Sequence, residues 1–154
     1  LGGEAFDGAF SDFGALNCVS DLAPVSEGLA RLVRPGGRVL LCLMGRYVPW
    51  EWGWFLARGP RSSAFRRLAK GGVVWRGLHV SYPPLRDLKR TFSPGFRFAG
   101  ARAVGAFLPP SYAEAWAARH PRLLGVLDAL ERRLEALPPF PSLADHVLLE
   151  LERR

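Results

Sequence analysis

Residues 6–45 read FDGAFSDFGALNCVSDLAPVSEGLARLVRPGGRVLLCLMG, and this stretch decides the fold class. A short apolar run over Ala5 to Phe10, with Asp7 near its start, fits a buried parallel strand. Ser11-Asp12-Phe13-Gly14 breaks it. From Ala23 to Val33, Leu29, Leu32 and Val33 recur at helical spacing with Ala30 between them. Asp21 offers an N-cap, Pro24 suits the first turn, and Glu27 favours the positive helix end. Arg34-Pro35-Gly36-Gly37 is a stop signal: arginine in the last turn, then proline and two glycines free to take positive φ. Arg38 to Met44 is then almost continuously apolar, VLLCLM. Such a strand is expected to be buried on both faces, with helices on both sides of a parallel sheet. A right-handed crossover sets it beside the first strand. The unit is βαβ, and the class is α/β.

Working outward, Tyr47 to Phe55 is rich in aromatics, including Trp50, Trp52 and Trp54. Pro49 can open a helix that places Trp50, Trp54 and Ala57 on one face. A helical turn or two around Ser62 to Lys70 ends at Gly71-Gly72. Val73 to Tyr82 alternates as a single strand, and Pro83-Pro84 ends it. Leu85 to Phe92 fits a short helix, and Phe96 to Phe107 a long strand bent at Gly100 or Gly105. Ser111 can cap a helix over Tyr112 to Arg119. Pro121 opens the most regular helix, its stripe of Leu123, Leu127, Leu130, Leu134 and Leu137 reading as packing on the sheet. Asp128, Glu131, Arg132, Arg133 and Glu135 lie largely off that stripe. Ala144 to Leu151 is the last strand. No internal repeat, low-complexity segment or linker divides the chain.

A length of 154 residues suits one domain. No run approaches the roughly 18 apolar residues of a membrane helix. Leu1-Gly2-Gly3-Glu4 lacks the basic start and apolar core of a signal peptide. A chain that starts without Met, close to a strand, is expected to be part of a longer one. Two cysteines make neither a disulfide framework nor a metal site: Cys42 reads as a small buried hydrophobe, and Cys18 as an accessible loop residue. A cytoplasmic protein is the expectation. The net charge of +7 comes from scattered arginines, with only Lys70 and Lys89 as lysines, the usage of a GC-rich genome. The densest grouping, Arg58, Arg61, Arg66, Arg67 and Lys70, reads as a solvated basic face, or as a surface for phosphate or an acidic substrate; nucleic acid is the less favoured partner. Three histidines without paired or helical spacing do not suggest zinc.

In open α/β sheets, ligands sit beyond the carboxyl ends of the strands. Two loops qualify, Ser11 to Val19 and Gly45 to Trp54. The first carries Ser11, Asp12, Asn17 and the flexible Gly14. Asn17 can donate and accept together, as recognition of an amino-acid or purine edge requires. The alternative is that Asn17 and Asp21 serve turns and caps.

At these residues the chain resembles a known family. FDGAFSDFGALN, a helix, then LVRPGGRVLLCLMG is similar to the fourth and fifth strands of class I S-adenosylmethionine-dependent methyltransferases. RYVPWEW, AFRR at Ala64 to Arg67, VGAFLPPSY, RHPRLLGVLDALERRL and ADHVLLELERR are similar to a bacterial group described as small-molecule or uncharacterised methyltransferases. Together these cover essentially the whole chain. The resemblance implies the C-terminal part of a Rossmann-like methyltransferase fold: a mostly parallel sheet with an antiparallel last strand, the N-terminal strands missing. It implies S-adenosyl-L-methionine as cofactor, with Ser11, Asp12, Phe13, Gly14 and Asn17 near its methionine and methyl-donor part.

The family's GxGxG turn and ribose-binding acidic residue precede these strands, and neither Gly2-Gly3 nor Gly36-Gly37 has that spacing or context. Residues 1–154 are therefore expected to be a partial domain, partnered by the missing N-terminal half. Alone, it should lack cofactor binding and self-associate through the bared edge of its first strand. Where nucleic-acid methyltransferases often carry an Asn-Pro-Pro-Tyr-like motif, this chain reads SDFGALN, which weighs against a flipped base.

A small-molecule methyl acceptor is implied, and Arg46, Trp50, Glu51 and Trp54 are the acceptor-side candidates, since aromatic walls with a few polar groups suit an organic pocket. The competing reading packs the tryptophans as a lid helix on the sheet. Tyr82 and Tyr112 are expected to line the same space. Methyl transfer rests on positioning and needs a base only where the acceptor must lose a proton. Asp12, Glu51, His79 and His120 are the candidates, and the sequence does not choose among them. His146, next to Asp145, could stand in a Ser-His-Asp arrangement, but no nucleophile-elbow motif accompanies it. The alternatives to an enzyme are a non-catalytic α/β binding or interaction module and, less favoured, a basic nucleic-acid-binding domain.

Overall fold

The computed structural model describes residues 5–154; Gly2-Gly3 lies outside them. In chain order, β1 (Phe6–Ser11) leads through a 3-10 turn at Ala15–Cys18 to α1 (Ala23–Leu32) and β2 (Val33–Met44). Next come α2 (Pro49–Arg58), β3 (Val73–Trp75), β4 (Leu78–Val80) and α3 (Leu85–Phe92). The chain ends with β5 (Phe96–Val104), α4 (Glu114–Ala118), α5 (Pro121–Leu134) and β6 (His146–Arg153). One four-stranded sheet has the order β1-β2-β6-β5, and β3-β4 is a separate hairpin. β1 is parallel to β2, and β6 is antiparallel to both β2 and β5. The strands β1, β2 and β5 therefore share one direction, with the reversed last strand between two of them.

Strand periodicity builds the core. Val39, Leu41 and Leu43 of β2 and Val147, Leu149 and Leu151 of β6 point to one face. There they meet Val25, Leu29 and Ala30 of α1, Leu88 and Phe92 of α3, and Phe96. Phe92 and Phe96 are fully buried, their rings edge to face at 6.2 Å. Burying each such ring contributes roughly 1.5–3 kcal/mol.

The opposite face corrects one expectation. Instead of a second helical layer, it carries Arg38 paired with Glu150 and Glu152, and Arg97 paired with Glu152 at 2.8 Å. At its margin, β1 is the sheet edge, and Phe6 and Phe10 are 50% and 65% exposed.

The Arg34 to Gly37 segment also differs from its reading. It is not a turn between helix and strand but an excursion within β2: Phe6 pairs with Val33, and Gly8 already with Arg38. Gly36 has φ +78°, and a Cβ on Gly37 would lie 2.5 Å from Val33 Cγ1 and 2.7 Å from the Asp7 carbonyl oxygen. Only glycine fits so close an approach. Arg34 Nε closes the excursion by donating to Asp7 Oδ1 at 2.6 Å.

Val73 to Tyr82 is a hairpin rather than one strand, because Arg76 (φ 50°) and Gly77 (φ 80°) both turn left-handed between β3 and β4. The leucine stripe of α5 does not pack away as expected: Leu123, Leu130 and Leu137 remain exposed. The helix is anchored by Glu131, which is buried. Its Oε1 accepts from the Gly105 and Ala106 N–H groups at 2.8 and 3.1 Å, and its Oε2 from Phe107 and Leu108 at 2.7 and 3.4 Å. One carboxylate thus satisfies the turn that follows β5.

Candidate active site at the carboxyl ends of the strands

The loop after β1 is folded back onto β2. Gly14, at φ +76°, donates its N–H to the Cys42 carbonyl at 3.1 Å. Asn17 is fully buried. Its Oδ1 accepts from Met44 N–H at 2.8 Å, and its Nδ2 donates to the carbonyls of Ser81 and Met44 at 2.7 and 3.3 Å. The amide thus ties the β1 loop, the end of β2 and the segment after β4 together, and its polar atoms are used within the protein. Asp21 serves as a turn residue, accepting from Ala23 N–H at 2.9 Å. Ser11 is half-buried, whereas Asp12 and Phe13 are exposed. Of the five cofactor-side candidates, Ser11, Asp12 and Phe13 therefore keep accessible side chains. The Phe13 ring stands edge-on to His146, centroids 6.2 Å apart.

His146 opens β6 where β2 ends, since Met44 and His146 are register partners. Around it lies a charged cluster assembled from distant parts of the chain. Glu51, on the first turn of α2, is buried, and its two oxygens sit 2.8 Å from Arg66 Nε and 2.7 Å from Arg67 Nε. Arg67 is buried too, and donates to Asp145 Oδ1 at 2.6 Å and to the carbonyls of Asp145 and Gly45 at 3.0 and 3.2 Å. Asp145 Oδ2 in turn lies 3.1 Å from His146 Nδ1. Burial raises the Asp145 carboxyl, but the His146 hydrogen bond and the Arg67 and His146 charges outweigh it and hold the group below the usual carboxylate range. The Arg67 guanidinium also lies over the Tyr82 ring, 5.4 Å from its centroid.

A cavity of about 320 Å³ opens beside this cluster, with Met44, Trp75, Tyr82, Tyr112, Asp145 and His146 in its wall. Burial pushes both phenols up, Tyr112 to about 12 with help from the Glu51 and Asp145 charges, so both stay protonated at neutral pH. A larger recess of about 540 Å³ runs along β5 and β6, by Phe98, Arg102 and Glu150, rather than at the strands' carboxyl ends.

The acceptor-side candidates are not brought together. Trp50 and Trp54 share a helix face and a different cavity of about 460 Å³ with Trp116. Trp50 Nε1 donates to the Phe107 carbonyl at 2.6 Å, and Arg58 lies over Trp54. One helical step turns Glu51 away from that face into the arginine cluster. Arg46 donates to the Leu68 and Tyr82 carbonyls at 2.8 and 3.2 Å, a brace between segments. Of the candidate bases, His79 is tied to the Gly71 carbonyl, and His120 stacks on Trp116 with Nδ1 2.7 Å from that residue's carbonyl oxygen. The basic grouping is not a solvated face throughout, since Arg67 is buried. Arg67, Asp145 and His146 form the cluster that sequence reasoning did not assemble; the Asp145-His146 pair at the start of the last strand was its one local signal. Cys42 is buried, which raises its thiol, and Cys18 is exposed. Among the described residues, no cluster of His, Cys, Asp or Glu could hold a metal ion, and no helix is long and apolar enough to cross a membrane.

A parallel β1–β2 pair joined through a helix, in a mixed sheet, defines an α/β fold. No family model and no curated protein matches the chain. Among solved structures, it is similar to an S-adenosylmethionine-dependent methyltransferase from Mesorhizobium loti, with a TM-score of 0.53 and 20% identity. That likeness covers 97% of this chain and 62% of the other. The fold is methyltransferase-like, and the chain spans less than two thirds of the length of that structure.

Proposed function

We propose that this chain is the C-terminal part of an S-adenosylmethionine-dependent methyltransferase domain acting on a small-molecule acceptor. The observation that carries the reading is the sheet, in which a reversed β6 lies between β2 and β5 and an aromatic cavity opens where β2 ends, its His146 edge-on to Phe13 of the β1 loop. The likeness to the Mesorhizobium loti structure supports it at the level of fold. The bared β1 edge, with Phe6 and Phe10 exposed, supports a preceding half that continues the sheet.

The residues present fit one wall of a cofactor site. Ser11 and Asp12 can meet an α-ammonium group with a hydroxyl and a carboxylate, and Phe13 offers a ring face. Asn17 shapes this wall without facing the ligand. When bound, the cofactor supplies an electrophilic methyl group on a sulfonium. The protein's share is to hold the acceptor in line and exclude water. The cavity beside Met44 and His146 is the better acceptor pocket than the Trp50 and Trp54 recess, because it adjoins the β1 loop through the Phe13–His146 contact.

The test is the protein expressed from its complete reading frame. A strand followed by GxGxG, about 50 to 100 residues upstream by the length of βαβ units, and S-adenosylmethionine binding in calorimetry are expected. The 154-residue chain alone should show none. A reading frame opening at Leu1, or a complete protein without cofactor binding, would sink the reading.

A further inference from the structure

We propose that the recess between α2, α4 and α5 is a second ligand site, separate from the cavity at the strand ends, and that it takes a small aromatic carboxylate. Neither part rests on the methyltransferase reading.

The recess encloses about 460 Å³, within the range of small-molecule pockets, roughly 300–1,000 Å³. No residue lines both it and the cavity beside His146. Its walls are held before any ligand arrives. Trp50 is pinned by its Nε1 bond to the Phe107 carbonyl and meets Trp116 edge to face at 5.5 Å. Trp116 is backed by the His120 ring, stacked at 4.7 Å, and Trp54 by Tyr112 at 5.9 Å. The wall at Ala106 and Phe107 hangs from the buried Glu131 carboxylate through its two N–H groups. Rings and backbone fixed in this way have little freedom left to lose on binding, which favours affinity.

Gly53 lines the recess between Trp50 and Trp54, inside α2. Glycine is a poor helix former, and neither a positive φ nor a close neighbour calls for it here: a Cβ would meet nothing within 4 Å. The missing side chain leaves room between the tryptophans.

Arg58 sets the class of ligand. It is the one charged side chain in this wall and, among the described residues, it has no carboxylate partner. The Trp54 ring, 4.9 Å from the guanidinium, steadies it and leaves its N–H groups for an anion. Arg66 and Arg67, at the other cavity, are matched by Glu51 and Asp145. A cationic ligand would meet Arg58 with no carboxylate in the wall to offset it, and a neutral one would leave the guanidinium unused. An aromatic carboxylate lays its ring against the tryptophans and its head group on Arg58.

Calorimetry on the protein from its complete reading frame tests this. The probe is 2-naphthoate, with 2-naphthylmethanol and 2-naphthylmethylammonium as its neutral and cationic counterparts. The wild type should bind naphthoate most tightly. Arg58→Gln should weaken naphthoate by about 5-fold or more and leave the alcohol within about 2-fold. Gly53→Leu should fill the recess and abolish naphthoate binding, with the urea midpoint unchanged or raised, since leucine is the better helix former. Arg58 is exposed, so its variant keeps the test decisive should Gly53→Leu fail to fold. The proposal is overturned if the folded wild type does not bind naphthoate, if binding survives in folded Gly53→Leu, or if the three probes bind alike. Tighter binding of the ammonium overturns it too, in favour of an aromatic cage for cations.

Discussion

Glu51 should be a structural carboxylate whose loss is read in stability. It is 1% exposed, between Arg67 at 8% and Arg66 at 37%. At about 4 Å between charge centres and an effective dielectric near 20, each pair is attractive by about 4 kcal/mol before desolvation. Solvent screens the Arg66 share to about 1 kcal/mol or less. Removing one partner of a buried pair costs about 3–5 kcal/mol, because the other charge is stranded. Arg67 is not wholly stranded, since Asp145 Oδ1 and two carbonyls remain. Glu51→Gln should therefore fall at the low end, about 3 kcal/mol, with Arg66→Ala about 1 kcal/mol or less. Urea unfolding measures both, as midpoint shifts with unchanged slope. The reasoning is refuted if Glu51→Gln costs less than about 1 kcal/mol while raising the acceptor KM, for the carboxylate would then be free to meet substrate.

Glu131→Gln removes one of two acceptor oxygens and opposes an amide to two of four N–H donors, so it should cost about 2–3 kcal/mol; faster hydrogen exchange at residues 105–108 would localise the loss. Asp145 sets an acid limit. Its folded pKa lies below the ordinary 3.8, so the stability it contributes is present above that value and lost as pH falls through the lower folded one. Asp145→Asn should flatten that part of a pH–stability curve, and an unchanged curve would contradict the ion-pair geometry. For the exposed edge, the 154-residue chain should self-associate in sedimentation velocity, and Phe10→Lys should reduce the association.

Local chemistry made the βαβ unit readable. The VLLCLM run and the helix before it depend on neighbours in sequence, as does α3, whose bounds of Leu85 and Phe92 match their reading. The β3–β4 turn was hidden because Arg76-Gly77 is not the Asn-Gly or Asp-Gly pair that announces such a turn, and Arg76 takes φ 50° all the same. In α5 the leucine stripe pointed to a packed face, but burial went to Glu131, whose partners are backbone groups and leave no side-chain pattern. β1 and β2 were read as neighbours and are, yet Asn17 in the loop between them was spent on Ser81, a residue 64 positions away. Arg67 and Asp145 are 78 positions apart. Contacts of that range are decided by topology, which no local window contains.

The place of β6 has a consequence for synthesis. This eight-residue strand follows the other described elements in the chain, yet it lies between β2 and β5. Until it emerges, β5 has no sheet neighbour, and the apolar faces of β2 and β5 wait uncovered. When it arrives, Arg153 also latches the end of α1 and the turn before β5, through the carbonyls of Ala30 and Gly95 at 2.7 and 3.0 Å. Closure of this sheet thus waits for β6, and a nascent chain stalled before that strand is a client for chaperones.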